Sequence, residues 1–234
     1  MNELQTYLAQ NPYPGRGVLL GVTPDGRGIA AYFIMGRSVN SRNRIFVLEE
    51  KGMRTQAHRP ELLSDPSLII YWPVRQVDGG LAVTNGDQTD DIAEALAQGH
   101  CFAHALHRRV YEPDAPNYTP RISGLIRRGE QGFSYRLSII KRGLADADVR
   151  HYFYEYQHPQ PGFGHLIHTY AGDGSPLPSF TGEPPVFALP EDGESLGQQI
   201  WQSLNPDNKV SLWTAEWRPG EGWRQNVWNK NLGQ

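Results

Sequence analysis

Arginines gather early in this chain, at Arg16, Arg37, Arg42 and Arg44. A guanidinium fork matches phosphate oxygens two at a time, so such a group suits an oxyanion. No acidic run lies beside them to neutralise them. A bound phosphate is the sharper reading, and a solvated basic rim is the plainer one. A second constellation is Val83-Thr84-Asn85-Gly86-Asp87-Gln88-Thr89-Asp90-Asp91-Ile92. Asn85-Gly86 tolerates a sharp turn. Asp87 or Thr89 can cap a following helix, whose first turn would carry Asp90 and Asp91. The stretch presents more donors and acceptors than a turn requires, which suits ligand contact; a capped connection is the bland alternative. A third is the loop 110–121, with Glu112, Asp114, Tyr118 and Arg121 held among Pro113, Pro116 and Pro120. His100, His104 and His107 repeat at i, i+4, i+7. With no HExxH pattern and no acid to complete a ligand set, they read as an exposed helix face, not a metal site.

The elements that must position these groups follow from periodicity. A short helical arm spans 2–10, with Leu4 and Leu8 on one side. Strands are expected over 18–22 and 29–35, joined by the hairpin turn Thr23-Pro24-Asp25-Gly26. The second is apolar on both faces and should lie between layers. Antiparallel pairing then puts Arg16 and Arg37 at one edge. A third strand covers 45–49, a mostly irregular stretch 51–66, and strand-like segments 67–72, 75–77 and 81–83. The longest helical pattern runs 90–110, with a break at Gly99. Further strands are expected at 122–126, 133–140, within 147–156, at 164–170 and at 209–217. A Gly/Ser/Pro loop fills 172–185 and a helix 195–204. This order opposes a doubly wound parallel sheet and favours α+β with antiparallel sheets covered by helices. Neither a Rossmann nor a P-loop pattern is present.

Composition bounds the function. The chain has 234 residues, 38% of them hydrophobic and 20% charged, enough for one globular domain over 1–234 with its own core. A net charge of −3 argues against a nucleic-acid polymer or an anionic membrane as partner. It leaves room for one phosphate held by local arginines. The lone Cys101 excludes an internal disulfide and a cysteine metal cluster, and points to a reducing cytoplasm. No signal peptide or membrane span is expected.

Four pieces of the sequence resemble the stand-alone IMP cyclohydrolase family: Tyr13-Pro-Gly-Arg16, Ala30-Ala-Tyr-Phe through Arg37-Ser38, Val83-Thr-Asn-Gly86 with Thr89-Asp90 and Ile92, and Tyr118-Thr-Pro-Arg121-Ile122. Their order and spacing carry the likeness across the first half; the second half is only loosely similar. The resemblance implies a four-layered αββα sandwich like that of N-terminal-nucleophile hydrolases. Met1-Asn2 offers no nucleophile of that type, in keeping with a different chemistry. It implies reversible closure of 5-formamidoimidazole-4-carboxamide ribotide to IMP with loss of water, the last step of purine synthesis. A purine ribonucleotide is the implied substrate, with no metal or organic cofactor, and a homo-oligomer is left open. On the matched positions, the chemistry assigns Arg37, Tyr71 and Glu112 to catalysis. Arg37 would meet the phosphate or the oxyanion, Tyr71 would relay a proton, and Glu112 would act as base. Arg16 and Ser38 would bind the phosphate end; Asn85, Gly86 and Thr89 the base or ribose. Arg121 would order the loop or pair with Glu112. All should share one cavity. The alternative is a purine-nucleotide-binding protein of the same fold without the activity. An unrelated amide hydrolase would need a Cys, Ser or Thr nucleophile, for which Cys101 is a poor candidate.

Overall fold

The structure, a computed structural model, describes residues 3–63, 66, 69–145 and 147–233. The chain opens with α1 (Leu4–Gln10), then the hairpin β1 (Arg16–Val22) and β2 (Gly28–Met35). A single turn, α2 (Val39–Arg42), leads to β3 (Arg44–Glu49) and β4 (Gly52–Ala57). Next come β5 (Val74–Val77), β6 (Gly80–Thr84), α3 (Gln88–Ala97) and α4 (Phe102–Leu106). The long strands β7 (Arg121–Gly129), β8 (Gly132–Arg142) and β9 (Val149–Tyr156) follow. The chain ends with β10 (Phe163–His168), β11 (Val186–Ala188), α5 (Gly193–Ser203), β12 (Lys209–Arg218) and β13 (Gly222–Asn229).

Two sheets result. One has the order β11-β10-β1-β2-β12-β13 and the other β3-β4-β5-β6-β7-β8-β9. The strand pairings are antiparallel, as short hairpin-like connections require. The sheets pack face to face: Val18, Tyr32 and Ile34 meet Phe46, Val83, Ile122 and Ile139 in one apolar layer. On the outer face of the first sheet, Leu19, Ile29 and Phe33 receive Leu4 and Leu8 of α1 and Leu196 and Ile200 of α5. On the outer face of the second, Ala82, Leu125 and Ile140 receive Ile92, Phe102 and Leu106 of α3 and α4. The fold is therefore α+β, with helices outside two antiparallel sheets. Strand β2 is buried throughout, as its two apolar faces require.

Several expectations are corrected. The stretch 51–66 is not mostly irregular, because β4 occupies Gly52–Ala57 with Met53, Thr55 and Ala57 turned inward. The strand expected over 67–72 is not formed in its described part. Ser67 and Leu68 lie outside the described residues, as do Ser64, Asp65, Met1 and Asn2, while 69–72 is a turn. Thr55 causes it: its hydroxyl donates to the Ile69 carbonyl (2.6 Å) and accepts from the Tyr71 N–H (2.9 Å). The helical pattern divides at Gly99 (φ +80°) as expected, but His100 then falls in the link and not on a helix face. His100 and His104 stack at 4.3 Å. Among the described residues, no group of three or more side chains is placed to hold a metal. Strand β13 was not foreseen, since its polar alternation hides Trp223, Val227 and Trp228. No helix among the described residues is long and apolar enough to cross a membrane.

Candidate functional site

Arg16 of the early arginine cluster, the 85–89 turn and the 110–121 loop come together, while Arg42 turns away to Gly36 and Asn208. Gly15 sets the approach. It sits at φ +78°, and a Cβ there would meet the Thr169 hydroxyl at 2.3 Å and the Tyr170 ring at 2.5 Å. Thr169 Oγ1 accepts the Arg16 backbone N–H (3.1 Å), so the start of β1 is pinned to the end of β10. The Arg16 side chain then points inward, where its Nη2 faces Glu112 Oε2 at 3.9 Å.

Glu112 is 2% exposed. Its loop is closed by its own N–H donating to the Thr119 carbonyl (2.9 Å) and by Asp114 accepting the Thr119 N–H (2.7 Å). Burial pushes the Glu112 carboxyl up to about 7, against the pull of Arg16 and Arg121. Asn85 reaches it from the neighbouring strand end: its amide donates to Glu112 Oε1 (3.4 Å) and to the Pro120 carbonyl (2.9 Å). The Asn85 carbonyl oxygen accepts from Ile122 N (2.8 Å) and Gln88 Nε2 (3.1 Å). Asn85 thus clamps the end of β6 to the start of β7.

The rest of the 85–89 turn forms a layer behind this. Thr89 Oγ1 bonds the Gly86 carbonyl (3.0 Å) and the Thr84 hydroxyl, and both threonines are fully buried. Asp87 takes the N-cap position of α3, as expected, but makes no side-chain cap bond, and Thr89 lies inside the helix. The Asp87 carboxylate is drawn instead to Arg109 (2.8 Å) and Arg121 (2.9 Å). Arg121 also donates to Gln88 Oε1 (2.8 Å) and the Val110 carbonyl (3.0 Å). A Cβ on Gly86 would meet Arg121 Nη1 and Gln88 Oε1, each at 2.6 Å, so glycine is what lets Arg121 lie over this turn.

Two tyrosines line the inner side. The hydroxyls of Tyr32 and Tyr71 are 2.9 Å apart. Burial, with Tyr71 adding to it, raises the Tyr32 phenol well above its ordinary range. Arg44, at the start of β3, is fully buried beside them. Burial and the charge of Arg16 lower its pKa. For Arg16 burial also acts downward, but the Glu112 carboxylate and the surrounding phenols outweigh it and raise the value well above normal.

Arg37 and Ser38 lie further out. Arg37 is exposed, pairs with Asp173 (2.5 Å) and covers the ring of Tyr13 at 5.1 Å. Tyr13 stacks on Tyr170 (5.9 Å), whose hydroxyl bonds that of Thr119. Arg37 is therefore joined to the Glu112 loop through two aromatic rings. The Ser38 hydroxyl accepts from Ser41 N (3.1 Å) in a capping box for α2.

The structure thus brings Arg16, Glu112 and Asn85 into contact, sets Gly86, Thr89 and Arg121 behind them, and puts Tyr71 alongside. Arg37 and Ser38 stand at the rim. In the sequence Arg44 stands only within a basic cluster and Tyr32 only within the Ala30-Ala-Tyr-Phe motif, and Tyr170 ends an apolar strand pattern with nothing to mark a site role. The cleft of about 420 Å³ over the α3–α4 break is lined by residues such as Phe102, Arg136 and Phe153, none of them from this group. What the group can do chemically is hold an anion against buried guanidinium groups and exchange a proton near neutral pH.

Comparison with known proteins bears on the chemistry. A family described as "IMP cyclohydrolase-like protein" matches residues 13–221. The chain is similar to the IMP cyclohydrolase of Methanopyrus kandleri, 33% identical over 171 residues, which is 71% of this chain and 79% of that protein. The IMP cyclohydrolase of Thermococcus kodakarensis is 32% identical over 145 residues, 56% of this chain and 67% of that protein. That of Methanocaldococcus jannaschii is 30% identical over 124 residues, covering 53% of this chain and 61% of the relative.

Proposed function

The chain belongs to the IMP cyclohydrolase-like family, and we propose that it catalyses the reversible closure of 5-formamidoimidazole-4-carboxamide ribotide to IMP with loss of water. The observation that carries the reading is the buried Glu112 carboxyl, close to Arg16 and held by Asn85.

The reaction asks for little beyond placement and proton movement. The carboxamide nitrogen is a weak nucleophile, so most of the acceleration comes from holding it against the formyl carbon. Its attack forms the ring C–N bond and puts charge on the former formyl oxygen. Glu112 takes the proton that the amide nitrogen sheds. Tyr71, coupled to Tyr32, relays that proton to the former formyl oxygen. The C–O bond then breaks as the formamido nitrogen gives up its own N–H proton and forms the ring C=N bond, and the oxygen leaves with both protons as water. Arg37 offers a cation to the developing oxyanion, and Arg16 and Ser38 serve the phosphate end. Asn85, Gly86 and Thr89 act mainly by shaping the wall that the base and ribose meet, because their polar groups already have internal partners. Arg121 orders the 110–121 loop. We also read the layering as the four-layered αββα order of N-terminal-nucleophile hydrolases, within one domain over 1–234. The cytoplasm is its proposed compartment.

Ring closure changes the ultraviolet absorbance of the substrate, so purified protein tests the reading directly. Turnover supports it. Tight IMP binding with no turnover would instead show a nucleotide-binding protein that kept the pocket and lost the reaction.

A further inference from the structure

We propose that Arg44 joins Arg16 to form a buried two-guanidinium clamp for the phosphate monoester of the nucleotide, so that phosphate and not the base supplies the larger part of ligand affinity. The inference deepens the reading above and rests on it for the identity of the ligand.

The geometry at the end of β2 carries it. The Met35 N–H donates to the Gly15 carbonyl (2.8 Å), directly before Arg16. The Met35 carbonyl accepts from Arg44 Nη2 (3.5 Å), so the two arginines flank the same residue from β1 and β3. Arg44 Nε is spent on the Ser41 carbonyl (2.8 Å), but its Nη1 is buried without a hydrogen-bond partner. Arg16 Nε is buried and unpartnered as well. Arg44 is 0% exposed, and among the described residues no carboxylate lies within ion-pair distance of it. Glu112, 3.9 Å from Arg16, is the one acid shown for the two cations.

Two like charges, Arg44 fully buried and Arg16 with its side chain 14% exposed, with two unspent donors are costly without an anion. Burial first, and then the charge of Arg16, lowers the Arg44 pKa, in keeping with that cost. A dianionic phosphate group supplies the missing charge and accepts both donors. Arg37 stands apart at the rim, paired with Asp173, and is not part of the clamp.

The test is thermal unfolding of the full chain in inorganic phosphate, IMP or inosine, with chloride held at matched ionic strength, for wild type and Arg44→Met. Wild type should be stabilised by phosphate and by IMP, with inosine giving little shift. In Arg44→Met the phosphate concentration for half the shift should rise at least about tenfold. The gap in melting temperature between the two proteins should widen as phosphate is added. If Arg44→Met does not fold, Arg44→Lys, which keeps the charge and loses the fork, should give the same rise to a smaller degree. A wild-type phosphate response in whichever variant folds overturns the clamp, as does stabilisation by inosine equal to that by IMP. Wild-type ring closure is followed in parallel. Turnover without a phosphate response removes the clamp and leaves the reaction standing. A phosphate response lost in the variant, with no ring closure by wild type, keeps the clamp and removes the reaction.

Discussion

At the scale of single residues, Glu112 sets the pH behaviour. Burial raises its carboxyl from the ordinary 4.5 to about 7, so the folded chain holds this proton more tightly than the unfolded chain does between those values. Its contribution to stability is therefore neutral below the unfolded value and increasingly unfavourable as pH rises to the folded one. Glu112→Gln should remove that slope. Relative to wild type, the variant should gain up to about 3 kcal/mol between pH 5 and pH 8, read by urea unfolding at the two values. As a base, Glu112 must be ionised to act. Turnover should climb with pH to a plateau above neutrality, and Glu112→Gln should lose that limb and about 10²–10⁴-fold in rate. Arg37→Ala and Tyr71→Phe should each lower turnover by about 10²-fold or more. Arg37 is exposed, so its loss should leave the melting temperature nearly unchanged. Full activity in both variants would remove the assigned roles while leaving the family membership intact.

At the scale of elements, the β6–α3 turn and the β7 start behave as one piece because Asn85 ties them. Asn85→Ala breaks side-chain bonds to Glu112, Pro120, Ile122 and Gln88 within a fully buried site. A loss of about 2–4 kcal/mol is expected by urea denaturation, with turnover falling too because Glu112 loses its neighbour. The sharp turn at Asn85-Gly86 and the break at Gly99 were both legible, since each depends on local backbone freedom. The partner of Asp87 was not. Its type and position fit a helix cap, yet Arg109 and Arg121, 22 and 34 residues away, compete for the carboxylate and win. Strand β4 was obscured by the prolines that follow it, although its inward alternation was present.

At the scale of the whole molecule, Asn229 and Asn231 tie the C-terminal end of the first sheet to β3 of the second. Asn229, at the end of β13, accepts from Phe46 N (2.8 Å) and donates to the Phe46 carbonyl (3.0 Å) across the sheets. Asn229→Ala should cost about 2–3 kcal/mol in urea unfolding and lower turnover as well, because Phe46 stacks on Tyr32 (5.6 Å), the partner of Tyr71. Cys101 is exposed at the start of α4, away from the rim, and Cys101→Ser should leave ring closure at the wild-type rate. A rate loss there would revive nucleophilic chemistry.

Residue types and near neighbours in the chain determined the antiparallel α+β class, the doubly buried β2, the turns and the spaced motifs of the family. Those properties arise from backbone preference and the period of apolar side chains, which act over a few residues. Only the tertiary structure decided which polar groups would be partnered. It buried Arg44 with no carboxylate paired to it among the described residues, gave Asn85 and Thr89 to the scaffold, joined Arg37 to the Glu112 loop through Tyr13 and Tyr170, and lifted the Glu112 carboxyl. Each outcome depends on burial and on contacts between strands distant in sequence. Charge in a low-dielectric interior is set by whatever the fold brings beside it, and local pattern contains no record of that.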